Sequence, residues 1–446
     1  MMARAGARVL SCSRARVLLC SRARVRWCTG ARVHLRTGAL LLCALVLSAG
    51  SALAQPPLTM DEVVRVVVER HPAIREAEAR VDEARGLAQQ AGTPGNPMIG
   101  YFADDLGTGN GAAAGKHGAF LEVPVALGGR LGAARAAGDA LVTSRTASLD
   151  IVRRQVIADA RSRWVSVAIA ARNLDVQESM AVLAEEGIDI AGKLYNVGLI
   201  DRADILDAEA AAAEARAHRE EARAALDAAW DQLANIMGDP ALSRARAPQL
   251  PDVPTVTRDA AKARLLAESP MLDAARREVA RQRALVSSSQ KAAWPDLTLK
   301  AEGWFDRERA HGTTTAKGWG FGGEVGFRLP ILNRNAGQIL AANANVRVAE
   351  AALQRIEAAV DDDFSHAWAN YAGAVARVVA LQDDVLPRAE EAYRLYFENF
   401  QQMSSPYPQV LMARERLIRT RQALSEALEQ VWLSWVTIDG LVAGTR

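Results

Sequence analysis

The sequence predicts a mainly α fold with a small β part: two copies of a long helical hairpin, each accompanied by two strands. Three observations lead there. Proline is absent throughout the alanine-rich stretch from Val125 to Asp239. The two halves of the chain repeat one another. Between the helical stretches lie segments in which apolar and polar residues alternate.

The repeat sets the order of the elements. "HPAIREAEARVDEARGLAQQAG" begins at His71 and "SPMLDAARREVARQRALVSSSQ" at Ser269, and each puts proline at the first helical position, where its missing N–H costs nothing. "PVALGGRLGAA" from Pro124 and "PILNRNAGQIL" from Pro330 lie 206 residues apart. "YNVGLIDRADIL" from Tyr195 matches "FQQMSSPYPQVL" from Phe400 at an offset of 205. The chain thus divides into an N-terminal segment, 1–54, a first repeat, 55–255, and a second of the same plan, 256–446.

Long helices are expected over 130–196 and 335–402, each about 100 Å long at 1.5 Å per residue. No compact globular domain needs that reach. Helices over 203–237 and 409–442 return from the far end, and those starting at Pro72 and Pro270 cover the rest. Stretches such as "AEAAAAEARAHREEARAALDAAW" favour helix and allow close approach, as in a coiled-coil bundle. Pro387 is expected to kink or interrupt the second long helix.

The strands are clearest in the second half. In "LTLKAEGWF", Leu297, Leu299, Ala301, Gly303 and Phe305 share one face, and Thr298, Lys300 and Glu302 the other. Its partner puts Trp319, Phe321, Val325, Phe327 and Leu329 on one side. Both are close to the 9–11 residues of a tilted membrane-crossing strand. In the first half, strands are expected over 98–104 and 119–125, with "GTGNGAAAGKHG" (107–118) a flexible loop between them. Four strands with an apolar face and open edges would aggregate in water, and they cannot cross lipid unclosed. Closed membrane barrels start at about 8 strands, so several copies must pool their strands in one barrel.

Charge and the N-terminus point the same way. Residues 1–54 hold nine arginines and no acid, which leaves 45 basic against 52 acidic residues in the remainder, a formal charge of minus seven. A nucleic-acid partner needs concentrated positive charge, which this remainder lacks. "GALLLCALVLSAGSALAQ" has an apolar run preceded by Arg32 and Arg36 and ends in small residues at Ala52 and Ala54, the pattern of a secretory signal peptide cut after Ala54. Upstream of it "SRARVLLC", "SRARVRWC" and "GARVHLR" repeat, consistent with an over-extended N-terminus and a true start near Val33. All four cysteines, Cys12, Cys20, Cys28 and Cys43, lie in this segment, so the exported chain has no thiol for a disulfide, a metal or a nucleophile.

The duplicated plan, Asn96-Pro97 before the first strand, "PVALGGRLGAA" after the second and "VGLIDRADILDA" at the turn together resemble the outer-membrane efflux protein (TolC-like) family over residues 55–446. The resemblance implies a homotrimer with a 12-stranded β-barrel in outer-membrane lipid and a coiled-coil tunnel through the periplasm. It also implies a periplasmic adaptor (membrane fusion) protein and an inner-membrane RND pump as partners, with no cofactor and no catalysis. Val197, Gly198 and Leu199 match the turn that the family presents to the adaptor, and by the repeat Gln402, Met403 and Ser404 form the other tip. The family often rings its constriction with carboxylates just after the second turn, where this chain has Gln409 and Met412. Asp204 and Asp207 occupy the corresponding place in the first half, on one helical face, and are the gate candidates; the alternative is that Asp204 caps a helix start. "NPMIGYFADD" and "LGGRLGAARAAGDA" look most like heavy-metal efflux components of the cobalt/zinc/cadmium type, which makes heavy-metal cations the expected cargo. Drug efflux and type I protein secretion stay open, because in this family the pump largely chooses the cargo.

Other classes fit less well. In "GTGNGAAAGKHG" Asn110 and His117 break the phosphate-loop pattern. "DDDFSH" (361–366) reads as a solvated helical face, and His71, His117, His218, His311 and His366 are scattered, so no metal site is expected. No set of nucleophile, base and oxyanion donors appears. An exported coiled-coil protein without a pore explains the helices and the repeat, but not the alternating strands.

Overall fold

The computed structural model describes residues 57–446 apart from 105, 107–114, 243, 245, 308–317, 403, 405 and 443–446. The expected signal segment, its cysteines, most of the first inter-strand loop, His311 and Met403 lie outside the described residues.

The element order is α1 (Met60–Arg70), α2 (Pro72–Ala91), β1 (Met98–Asp104), β2 (Gly115–Ala126), α3 (Arg130–Asn196) and α4 (Arg202–Met237). It then runs through the same sequence again: α5 (Arg258–Glu268), α6 (Pro270–Lys291), β3 (Asp296–Arg307), β4 (Gly318–Phe327), α7 (Ala336–Ala380), α8 (Leu386–Gln401) and α9 (Tyr407–Val442).

Helix α3 is one unbroken rod of 67 residues, about 100 Å at 1.5 Å per residue. Its counterpart is not continuous. Between α7 and α8 lies a π-helical turn, Leu381–Val385, in which the Leu386 N–H reaches back five residues to the Leu381 carbonyl. The cause is Pro387, which offers no N–H and whose ring crowds the carbonyl four residues before it.

Neighbours hand over along α3. Toward the sheet it packs on α2, where Gly138 meets Ala88 and Arg153 pairs with Glu78 at 3.0 Å. There it also packs on α6, where the Ser144 hydroxyl donates to Glu278 at 3.2 Å. Toward the tip α4 takes over, through Arg223–Glu178 and Arg216–Glu185, with α9 alongside, where Tyr407 lies against Gly187.

Where these sets meet lies the main core, in which Val63, Val67, Trp164, Val165, Leu233, Phe364 and Val431 are buried. The Trp164 indole N–H donates to the Leu58 carbonyl at 2.8 Å, pinning the start of the described chain. Leu58 N–H in turn donates to the Arg246 carbonyl at 3.1 Å, and the Arg246 guanidinium grips Glu62 with two bonds of 3.0 and 2.7 Å.

The four strands form one antiparallel sheet in the order β1-β2-β3-β4. One expectation is corrected here. Residues 115–118 are not loop but the first part of β2, where His117 pairs with Phe305 and Gly118 with Trp304. Pairing to β3, distant in sequence, overrides the local preference of a glycine-rich run.

Candidate functional site

Two regions stand out, the sheet and the helical tip. In the sheet, register aligns Ile99, Leu121 and Ala301 across one face, with Phe305 opposite Trp319 and Gly303 opposite Phe321. This apolar face lies open: Ile99 is 80 % exposed, Tyr101 70 %, Trp319 73 % and Phe321 81 %. The opposite face carries Lys116, Glu122, Lys300, Glu302 and Glu324, with the Lys300 ammonium 2.9 Å from Glu302. Glycines on that face make room for aromatic rings; a Cβ on Gly320 would come within 2.4 Å of the Trp304 ring. A water-facing sheet buries its apolar side, and this one shows it outward, as lipid-facing strands do. Among the described residues no helix is long and apolar enough to cross a membrane.

At the tip, α3 ends in a Schellman turn. The Leu199 N–H bonds the Leu194 carbonyl at 3.0 Å, and Gly198 sits at φ 76°, a left-handed conformation that glycine adopts without penalty. Helix α4 then starts with a capping box. The Asp201 carboxylate accepts from the N–H groups of Ala203 and Asp204 at 2.8 and 3.1 Å, and Asp204 accepts from the Asp201 N–H at 3.2 Å. Glycine and acids interrupt the helical run because a tight reversal requires them.

The other turn is built differently. Gln402 closes α8 onto the Glu398 carbonyl, and Ser404 bonds the Asn399 carbonyl through both its N–H, at 2.8 Å, and its hydroxyl, at 2.9 Å. Pro406 and Pro408 flank Tyr407 where α9 begins. The two turns share a cavity of about 400 Å³ walled by Leu194, Leu199, Asp204, Phe400, Ser404 and Tyr407.

Of the expected tip residues, Val197 and Leu199 project with 67 % and 52 % of their surface exposed, and Gly198, Gln402 and Ser404 are exposed as well. Of the expected gate residues, Asp204 is half-buried and engaged in the cap, Asp207 is exposed one turn on, and Gln409 and Met412 are exposed on α9. Sequence reasoning missed Tyr407. It is buried, and its hydroxyl makes no hydrogen bond among the described residues, standing 3.2 Å from a Cβ position on Gly187. Burial pushes its phenol up in pKa; Arg414 pulls it down, and Asp204 and Asp207 push it up again. The only sequence signal was a tyrosine set between two prolines.

An open sheet with an outward apolar face, joined to one unbroken helix of about 100 Å and an interrupted counterpart, fits the class of membrane-inserted channel subunits. The sequence profile of the outer membrane efflux protein family matches residues 63–239 and 263–444, and the chain belongs to that family. Among its relatives is the cobalt-zinc-cadmium resistance protein CzcC of Cupriavidus metallidurans, 26% identical over 401 residues, which cover 87% of this chain and 91% of the relative. Among solved structures, the outer-membrane channel OprN superposes with a TM-score of 0.71 at 20% identity, over 86% of this chain and 90% of that one. The outer membrane protein VceC of Vibrio cholerae gives 0.66 at 19% identity, over 86% and 96%.

Proposed function

We propose that the chain is the outer-membrane channel of a tripartite efflux system and works as a homotrimer. Three sheets close into a 12-stranded barrel in the outer membrane, and the helices form a periplasmic tunnel. The tunnel receives cargo from an inner-membrane RND pump through an adaptor protein. The exposed apolar sheet face carries this reading, because a run of open Ile, Tyr, Trp and Phe side chains across neighbouring strands marks a surface that meets lipid or another apolar partner. The chain conducts passively and performs no catalysis. Likeness to a cobalt-zinc-cadmium resistance protein supports heavy-metal cations as the cargo.

In this reading residues 1–54 are an export signal, and 55–255 and 256–446 are two repeats that together give one third of the pipe. Val197, Gly198 and Leu199, with Gln402, Met403 and Ser404, form the surface that meets the adaptor; the exposed Val197 and Leu199 support it. Asp204 and Asp207, with Gln409 and Met412, line the closing end, where threefold symmetry crowds like charge around one axis and favours cations.

The test is reconstitution of the purified, signal-free protein into planar lipid bilayers, with its mass measured in detergent. Trimers with discrete single-channel conductance are expected. A water-soluble monomer with no conductance would overturn the reading and return the chain to the class of pore-free coiled-coil proteins.

A further inference from the structure

We propose that the open edge of β4 receives β1 of a second copy in a fixed register. Ile331 lies opposite the partner's Ile99, Leu329 opposite the partner's Tyr101, and Phe327 opposite the partner's Ala103. The inference rests on the barrel reading above and adds to it a residue-level seam.

The argument starts from the internal repeat. Pro97 and Pro295 precede β1 and β3 at an offset of 198, and Pro124 and Pro330 mark β2 and β4 at an offset of 206. In the first hairpin Met98 faces Glu122. Shifting both residues by their offsets predicts Asp296 opposite Arg328 in the second. There the ladder runs to Leu297 opposite Phe327, and the Arg328 N–H continues it to the Asp296 carbonyl at 3.1 Å. One hairpin therefore generates the other without a slip.

The same shifts apply to the junction between the repeats. Within one chain β2 meets β3 with Val125 opposite Leu297, Val123 opposite Leu299 and Leu121 opposite Ala301. Carried forward, these three pairs become the three stated above. All six residues fall on the apolar face, as a one-residue slip would not allow.

Exposure supports the same edges. Leu329 and Ile331 are 64 % and 67 % exposed and Ile99 and Tyr101 80 % and 70 %, whereas at the junction inside the chain Val123, Val125 and Leu297 are half-buried and Leu121 and Leu299 are only 42 % and 41 % exposed. Strand β2 runs on to Ala126, but β4 stops at Phe327, and the Ile331 N–H turns back to the Leu329 carbonyl at 2.9 Å. A neighbouring β1 supplies the pairing that β3 supplies to β2, and β4 then extends as far as Leu332. Pro330 is no obstacle, since Pro124 already sits in a ladder opposite Thr298.

Cysteine pairs test the register cleanly, since no cysteine follows position 43 of the chain. Directly opposed residues are about 4.5–5.5 Å apart at Cα, within reach of a disulfide, while neighbours two residues away are about 7–8 Å apart. The variant Leu329→Cys/Tyr101→Cys, oxidised in outer membranes by air with copper phenanthroline, is expected to run as a covalent trimer on non-reducing denaturing gels. Leu329→Cys/Ile99→Cys and Leu329→Cys/Ala103→Cys are expected to give at least ten-fold less. Val123→Cys/Leu299→Cys closes within one chain and reports that the sheet has folded. If either slipped pair links best, the register is wrong and the barrel stands. If the control closes but no pair links copies and the protein is monomeric, the barrel reading falls too. A link to a protein other than this chain overturns the choice of occupant.

Discussion

Gly138 of α3 lies so close to Ala88 of α2 that a Cβ built on it would stand 2.6 Å from the Ala88 Cα. That contact is backbone against backbone, so nothing flexible can yield. Gly132, six residues earlier on the same helix, has nothing within 4 Å of its Cβ position. The pair gives a clean contrast. Gly138→Ala should destabilise the folded protein by about 1–3 kcal/mol through overpacking. Gly132→Ala should stabilise it by up to about 1 kcal/mol through helix propensity. Thermal unfolding in one detergent reads both, and equal effects would remove the close-approach argument.

Glu62 and Arg246 clamp the first helix to the segment that links the repeats. The hydrogen bond from Arg246 holds the Glu62 carboxyl below the usual carboxylate range, against the opposing effect of burial. A depressed folded pKa contributes stability that is present above the unfolded value and lost as pH falls through the folded one. Glu62→Gln should therefore cost about 1 kcal/mol at pH 7. It should cost nothing well below the carboxylate range, where Glu62 is protonated in both states. Melting curves of both proteins at the two pH values check this, and a gap that persists in acid argues against the clamp.

Asp204 serves the helix cap as well as the suggested gate, and the two roles separate by substitution. Asparagine keeps an acceptor oxygen for the cap and removes the charge. Asp204→Asn with Asp207→Asn should leave the melting temperature nearly unchanged and lower cation-over-anion selectivity in bilayer recordings. Asp204→Ala should also lose the hydrogen bond from the Asp201 N–H, at a cost of about 0.5–1.5 kcal/mol. Unaltered selectivity in the double asparagine variant would leave Asp204 with the cap alone.

Pro387 should be the reason that the second rod contains a π turn. In Pro387→Ala, amides over 381–388 should exchange more slowly with deuterated solvent as the ladder closes, while those of α3 stay as they were. Unchanged exchange over the turn would place the cause elsewhere.

Much of this architecture is legible in the sequence because long-period signals dominate it. Absence of proline and the repeat located α3 at its observed bounds, Arg130–Asn196, and the alternation around Leu297 and Phe321 located two strands. What stayed hidden depends on partners far along the chain. Residues 115–118 look like loop until β3 is placed beside them. The cavity between the turns needs Leu199 and Tyr407, some two hundred residues apart, to be brought together. That Asp204 is half-consumed by a cap follows from hydrogen-bond directions, which spacing alone does not fix.

The hand-over of neighbours along α3 has a mechanical result. Its upper stretch is braced by helices that terminate at the sheet, and its lower stretch by helices that terminate at the turns. Helix α3 itself runs unbroken from the sheet to the first turn, so a displacement at that turn has one stiff path to the strands. Its counterpart carries the π turn on the way, so the two paths from the turns to the sheet are not equivalent.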